Sequence, residues 1–338
     1  MEAMKPGVQE SDACLKPIAQ TGVPPGACDA DQTSQRRARI LAAVEQLPSL
    51  PAYVFELNRL LSVSPVDLKR VSTLVAADPA LAAQVPRMCH APLWGLSQKI
   101  FNIAEACILL GAARLRTLVL TTHLLECLGQ ELPAGGVLAF WQHCVLTALL
   151  SQQVALATSA TLPEEAYLGG LLHDIGALPI MLAAARELPD SKLPPLEGPD
   201  ETLKSEQEMF GIDHCELGRA IAIYWRFPAS LVAVLERHHR PEEASREAGL
   251  VRIVAAADRF SRARGYALGV TSPILHPELE MTAEGCLRAC LPALDARRRR
   301  QIAEVMEEAL LRFTQKEFYS VWPLAGPARL AAATEDAQ

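Results

Sequence analysis

The sequence predicts an all-α protein, a two-lobed helical bundle. Three observations predict it. Apolar residues recur at helical spacing through most of residues 35–316, no run alternates as a half-buried strand does, and no segment repeats at a fixed period. Half of the 338 residues are hydrophobic, enough for one large core or two modest ones. Pro133-Ala134-Gly135-Gly136 reads as a hinge and puts the lobe boundary near 130–136.

The elements follow in order. Residues 1–34 are rich in Pro, Gly, Ser, Asp and Gln without periodicity and read as a disordered tail. An N-terminal lobe takes 35–132, beginning with a helix near Gln35 whose apolar positions are Ile40, Leu41, Val44 and Leu47. Leu47-Pro48-Ser49-Leu50-Pro51 is an extended turn, and Ala52 to Leu61 is amphipathic through Val54, Leu57, Leu60 and Leu61. Ser64-Pro65 and Asp78-Pro79 each place a capping side chain before a proline at the first helical position. They predict helices over about 66–77 and 79–90, the second bent or broken by Pro86. Ala91 to Leu96 is a turn, and Gly111 separates two apolar helices, Ile103–Leu110 and Ala112–Leu128.

The second lobe takes 133–265, interrupted by a Pro-rich loop near 187–200. A helical extension over 266–322 carries Leu287, Leu291, Leu294, Ile302, Val305, Leu310 and Leu311, and 323–338 is a frayed tail. Arg297 to Arg300 reads as a solvated helix start.

Composition narrows the function. A formal charge of −7 argues against a broad nucleic-acid footprint. Nine cysteines show no CxxC pair and no even framework, which fits a reducing cytoplasm. Cys286 and Cys290 share one helix face but lack partners that would make a metal site. Residues 1–30 hold no apolar signal core, and the most apolar window, Ile103 to Leu125, carries Glu105, Arg114, Arg116 and His123. It is a buried helix pair rather than a membrane span.

The chemistry centres on Tyr167-Leu168-Gly169-Gly170-Leu171-Leu172-His173-Asp174-Ile175-Gly176. Helical spacing buries Leu168, Leu171 and Leu172 and sets His173 and Asp174 at the inner end of a helix, with Gly176 to stop or bend it. A buried carboxylate costs several kcal/mol unless a cation or hydrogen bonds compensate it. Imidazole beside carboxylate suits zinc, iron or manganese; a plain His–Asp hydrogen bond between helices suits it as well. The same lobe holds His143 on an apolar helix and His214 behind Asp213, an N-cap with Glu216 as return partner. His238 and His239 close a helix, and Asp258 lies on an apolar helical face. Arg237 and Arg240 flank the paired histidines and are candidate ligand-binding cations. His90, His123 and His276 have no such context.

This constellation resembles the HD superfamily of metal-dependent phosphohydrolases. The resemblance implies metal-binding roles for His143, His173, Asp174 and Asp258, and for His214, His238 and His239 as the extra ligands of versions with more than one metal. Leu47-Pro48-Ser49-Leu50-Pro51, Asp78-Pro79-Ala80-Leu81, Trp94-Gly95-Leu96 and Ile103 to Gly111 narrow it. With Trp141-Gln142-His143, Gly170 to Gly176, Asp213 to Gly218, Trp225-Arg226-Phe227-Pro228 and His238-His239, they are similar to the HDOD family, an HD-related output domain of bacterial signalling proteins. The likeness covers about 45–245 and implies an HD-type helical core in the second lobe.

The chain also departs from these families. Cys89 to Gly95 stands where the family has an Asn-Ser pair, Ala177 where cyclic-dinucleotide phosphodiesterases carry a lysine, and the Gly-Tyr-Pro signature is missing. The resemblance thus implies a signalling protein that binds a protein partner or a nucleotide-type ligand without catalysis, its divalent metal (iron, manganese or zinc) structural or absent. The competing expectation is a metal-dependent phosphohydrolase in which Asp174 bridges two ions. No receiver, GGDEF or kinase domain is visible, so input is expected from another chain or a ligand.

Overall fold

The computed structural model describes residues 30–45, 52–61, 63, 65–89, 102–128, 134–187, 199–245, 247–266 and 282–314. Every regular element among them is helical. The turn expected at 91–96, the Pro-rich loop, the N-terminal tail up to residue 29 and the frayed end lie outside the described residues.

Four helices form the first lobe: α2 (Ala52–Leu61), α3 (Leu68–Ala77), α4 (Pro79–Cys89) and α5 (Ile103–Leu128), with α5 packed against the other three. Val54, Leu57, Leu61, Val71, Val75, Leu81 and Val85 are buried, at the helical spacing the sequence shows. Asp78 caps α4 as expected, the Leu81 amide donating to its Oδ1 at 2.7 Å. At α3 the cap differs: Asp67 accepts from the Arg70 amide at 3.0 Å, and the helix starts at Leu68 rather than behind Ser64-Pro65. α4 runs through Pro86 to Cys89 without a break. Gly111 does divide α5, with φ 75° and ψ 166°, a conformation that costs a residue with a Cβ.

In the second lobe α6 (Ala134–Thr158), α7 (Pro163–Leu172) and α12 (Ala248–Ala263) pack together, joined by α8 (Ala177–Glu187), α9 (Pro199–Phe210), α10 (His214–Tyr224) and α11 (Ala229–Arg237). α13 (Ala283–Cys290) and α14 (Ala296–Thr314) lie against α12 and α6. The expected hinge is not a break at Ala134-Gly135-Gly136, which form the first turn of α6. Helix α1 (Ala30–Glu45) begins five residues earlier than its apolar pattern and docks on α8, α9 and α10 of the second lobe, where Arg37 pairs with Glu216.

α6 is apolar all round because α7, α12 and α14 cover it. α7 approaches so closely that a Cβ on Gly170 would sit 2.7 Å from the Ala148 backbone. Pro163–Ala184 is apolar enough, and with its turn long enough, to cross a membrane, yet 78% of its most apolar window is buried inside the protein, as a core segment is. Arg297, Arg298 and Arg300 are exposed, as expected, while Arg298 also reaches the last carbonyls of α6 at Ala157 and Thr158, 3.2 and 3.4 Å away. Cys286 and Cys290 are buried and form no disulfide.

Candidate metal centre

Five segments of the second lobe converge. α6 carries His143, and the turn after α7 carries His173 and Asp174. α10 begins with His214, α11 ends at His238 and His239, and α12 carries Asp258 in its middle. All seven side chains expected at a metal site come together, each from 0% to 3% exposed.

They form two halves around one carboxylate. In the first, the ligand atoms of His143, His173, Asp174 and Asp258 lie within 4.8 Å of one another. Asp174 Oδ2 is 3.2 Å from the Nε2 of both His143 and His173, and Asp258 Oδ1 is 3.2 Å from His143 Nε2. The other oxygen of Asp174, Oδ1, faces the second half, 3.1 Å from His238 Nε2 and 3.4 Å from His214 Nε2. There His214, Cys215, His238 and His239 also have their ligand atoms within 4.8 Å of one another.

The outer nitrogens of four rings are tied back. His143 Nδ1 donates to the Tyr266 carbonyl at 2.7 Å, His173 Nδ1 to the Gly170 carbonyl at 2.7 Å and His238 Nδ1 to the Val234 carbonyl at 3.0 Å. His214 Nδ1 donates to Glu206 Oε2 at 2.8 Å. Holding Nδ1–H outward aims the Nε2 lone pair inward, the tautomer a metal ligand needs.

Several inner atoms are then left without partners. The Nε2 atoms of His143 and His173 stand 3.1 Å apart, those of His214 and His239 3.0 Å apart. Two lone pairs at that distance repel unless a proton or a cation lies between them. Asp174 Oδ2, both oxygens of Asp258 and His239 Nδ1 are buried without a hydrogen-bond partner. Orphaned acceptors in a buried site ask for positive charge. A pair of divalent ions fits this donor set.

Electrostatics agree. Burial opposes charge on His143, yet the neighbouring Asp174 and Asp258 carboxylates raise its pKa to about 9. His238 rises to about 10 against burial, through Cys215 and Asp174. Burial also opposes charge on Asp174 and Asp258, and the imidazoles around them hold both well below the usual carboxylate range. His239, buried beside His238 and His214, is held well below the ordinary histidine value.

Local sequence explains part of this assembly. The α7 helix ends at Leu172, and Ala177 N–H to Asp174 carbonyl, 2.8 Å, closes the turn that presents the His-Asp pair. Gly176 in that turn was expected to stop the helix; its firmer constraint is contact. A Cβ there would fall 2.1 Å from the His214 carbonyl, so glycine lets the two halves of the centre touch. Asp213 caps α10 through the Glu216 amide at 2.8 Å, as expected. The Glu216 side chain pairs instead with Arg37, and Glu206 on α9 takes the His214 amide at 2.8 Å.

Three contributors escaped the sequence reading. Glu206 sits on a polar helix with no motif. Cys215 reads there as one more apolar cysteine. Arg262, buried beside Asp258 and donating to Thr202 at 3.1 Å, was detectable only as an i,i+4 neighbour of Asp258. Arg237 is paired with Glu236 and Glu243, and Arg240 is exposed just past His239.

A family model described as the HDOD domain matches residues 47–241, more than half of the chain. An uncharacterized protein of Treponema pallidum (strain Nichols) is 25% identical over 231 residues, 64% of this chain and 42% of that one. The chain thus spans about two fifths of that relative's length. Among solved structures, an HDOD domain protein of unknown function from Geobacter sulfurreducens superposes with TM-score 0.65 at 24% identity, covering 84% of this chain and 97% of its own. A candidate phosphohydrolase from Shewanella amazonensis SB2B superposes with TM-score 0.59 at 25% identity, covering 80% and 94%.

Proposed function

The chain belongs to the HDOD domain family, and from that premise we propose that it is a regulatory signalling protein whose second lobe is tied together by a pair of divalent metal ions. It answers to a protein partner or a nucleotide-type ligand in a reducing cytoplasm. The observation that carries this reading is the division of the Asp174 carboxylate, Oδ2 toward His143 and His173 and Oδ1 toward His214 and His238. His143, His173, Asp174 and Asp258 would hold one ion, and His214, His238 and His239 with Asp174 the other. Imidazole and carboxylate donors suit iron, manganese or zinc. Structural metal sites are closed, whereas catalytic ones keep a position open to substrate. Ligands at most 3% exposed favour the closed kind, in which the ions join α6, α10, α11 and α12 to the turn after α7.

A second reading, a metal-dependent phosphohydrolase, draws on the same bridging carboxylate. When bound, such an ion pair supplies Lewis acidity to a phosphoryl oxygen and lowers the pKa of water toward neutrality. In that reading the imidazoles and carboxylates hold and orient the ions, and the Arg262 charge near Asp258 favours its carboxylate form. Ala177 supplies no cation for phosphate.

The test is metal content by mass spectrometry for wild type and the His173→Ala/Asp174→Ala double variant, beside hydrolysis of cyclic dinucleotides, nucleotides and a generic phosphodiester with Mn²⁺ or Fe²⁺. Two ions per chain, lost in the double variant, with no hydrolysis, supports the regulatory reading. Hydrolysis abolished by Asp174→Ala replaces it with the enzyme. A wild type that takes up no metal overturns both.

A further inference from the structure

Six cysteines among the described residues are buried and outside any disulfide, and one of them shares a cluster with three imidazoles. Cys215 follows His214 in the first turn of α10, 6% exposed. Its Sγ lies 4.0 Å from both ring nitrogens of His238, and it shares with His214, His238 and His239 the cluster whose ligand atoms lie within 4.8 Å of one another. By contrast, Cys89 Sγ donates to the Ala106 carbonyl at 3.7 Å inside the first lobe, far in sequence from any metal-ligating cluster. A second observation points to an ion beside Cys215: His239 Nδ1 is buried without a partner, and its Nε2 faces the His214 Nε2 lone pair at 3.0 Å.

We propose that Cys215 supplies a thiolate to the second half of the centre, joining His214, His238, His239 and the Asp174 carboxylate there and making that half select a thiophilic divalent ion. The proposal rests on the dinuclear reading above and adds to it the chemical class of the second ion. Imidazole and thiolate donors on one zinc, with Zn–N of about 2.0 Å and Zn–S of about 2.3 Å, stand roughly 3.3–3.7 Å apart. The present donors, all within 4.8 Å of one another, need to close by at most roughly an ångström to reach that. Soft thiolate favours zinc and its spectroscopic stand-in cobalt over manganese or magnesium, which prefer oxygen. The first half, built of two imidazoles and two carboxylates, has no sulfur and keeps the harder preference. The two halves thus differ in the ion each takes.

Cobalt makes the sulfur visible. The full chain, stripped with a chelator and titrated with Co²⁺, should develop an intense near-ultraviolet sulfur-to-cobalt charge-transfer band. The band should be lost in Cys215→Ser and Cys215→Ala and kept in Cys144→Ala, whose thiol neighbours His143. X-ray absorption at the cobalt edge of the wild type should show a sulfur scatterer near about 2.3 Å, a readout that needs no variant to fold. Cobalt bound without the band and without a sulfur scatterer overturns the thiolate and leaves the dinuclear centre standing. A band that survives in Cys215→Ala also overturns it. No cobalt uptake at all overturns the centre and the thiolate together.

Discussion

Each lobe buries a histidine against an aspartate, and the two pairs are opposites. In the first lobe His123 Nδ1 donates to the Val119 carbonyl at 2.8 Å, and its Nε2 meets the Tyr53 hydroxyl at 2.6 Å. Tyr53 donates to Asp78 Oδ2, and Asp78 Oδ1 takes the Leu81 amide. Both ring nitrogens and both carboxylate oxygens have partners. In the second lobe the outer nitrogens of four rings are equally well held, but the inner ones of His143 and His173, and of His214 and His239, face each other, and three of the four oxygens of Asp174 and Asp258 are orphaned. The first arrangement completes itself; the second waits for a cation. Unsatisfied valence, rather than residue type, separates a structural histidine from a ligand.

Removing the carboxylates should break this comparison most sharply. Asp174→Ala is expected to abolish binding of both ions and to cost about 3–5 kcal/mol, the scale for breaking a buried charge pair. Asp78→Ala should cost about 1–3 kcal/mol through the lost cap and Tyr53 contact while leaving metal content unchanged. Urea denaturation with metal analysis on both variants decides; equal metal content in the two would erase the distinction.

Alkaline pH should separate the lobes next. His143 and His238 have pKa values near about 9 and about 10 in the folded chain, against an ordinary 6.5. Raised values mean that folding takes up protons. Their contribution to the metal-free protein is therefore complete below about pH 6.5 and is lost as pH rises through 9 to 10. Denaturation midpoints of stripped protein should fall across that window, and less so in Asp174→Ala. Metal uptake should acidify a weakly buffered solution as the ions displace those protons; a flat profile with no proton release would remove the charged clasp.

Gly176→Ala tests whether the two halves must touch. Its Cβ would force the His214 carbonyl away, at about 1–3 kcal/mol for overpacking, and should weaken binding of the second ion more than the first. Binding of both ions at wild-type affinity would show that the contact is incidental.

Glu206→Gln keeps an acceptor for His214 Nδ1 but removes its charge. A loss of about 10–100-fold in metal affinity is expected, seen by competition with a coloured chelator. The smallest effect is on the self-satisfied side. Tyr53→Phe should cost about 0.5–1.5 kcal/mol in thermal unfolding, with metal affinity unmoved.

The sequence by itself determined the helical architecture, the Asp78 and Asp213 caps, the break at Gly111 and the identity of the seven His and Asp side chains. These are local matters: periodicity, capping and glycine conformation act within a few residues of the chain. Where local cues failed, a neighbour distant in sequence had intervened. α1 starts at Ala30 and docks on α8, α9 and α10, with Thr33 of its opening against Gly211, and Glu206 takes the His214 amide while Glu216 pairs with Arg37. His123, without context in the sequence, gained Tyr53 and Asp78 as partners across 70 and 45 residues. Tertiary structure alone decided that the two oxygens of Asp174 point to different imidazole pairs, that Cys215 stands among three of those histidines, and that the Tyr266 carbonyl holds His143. Those relations join segments up to 123 residues apart, and only packing sets the distance between them.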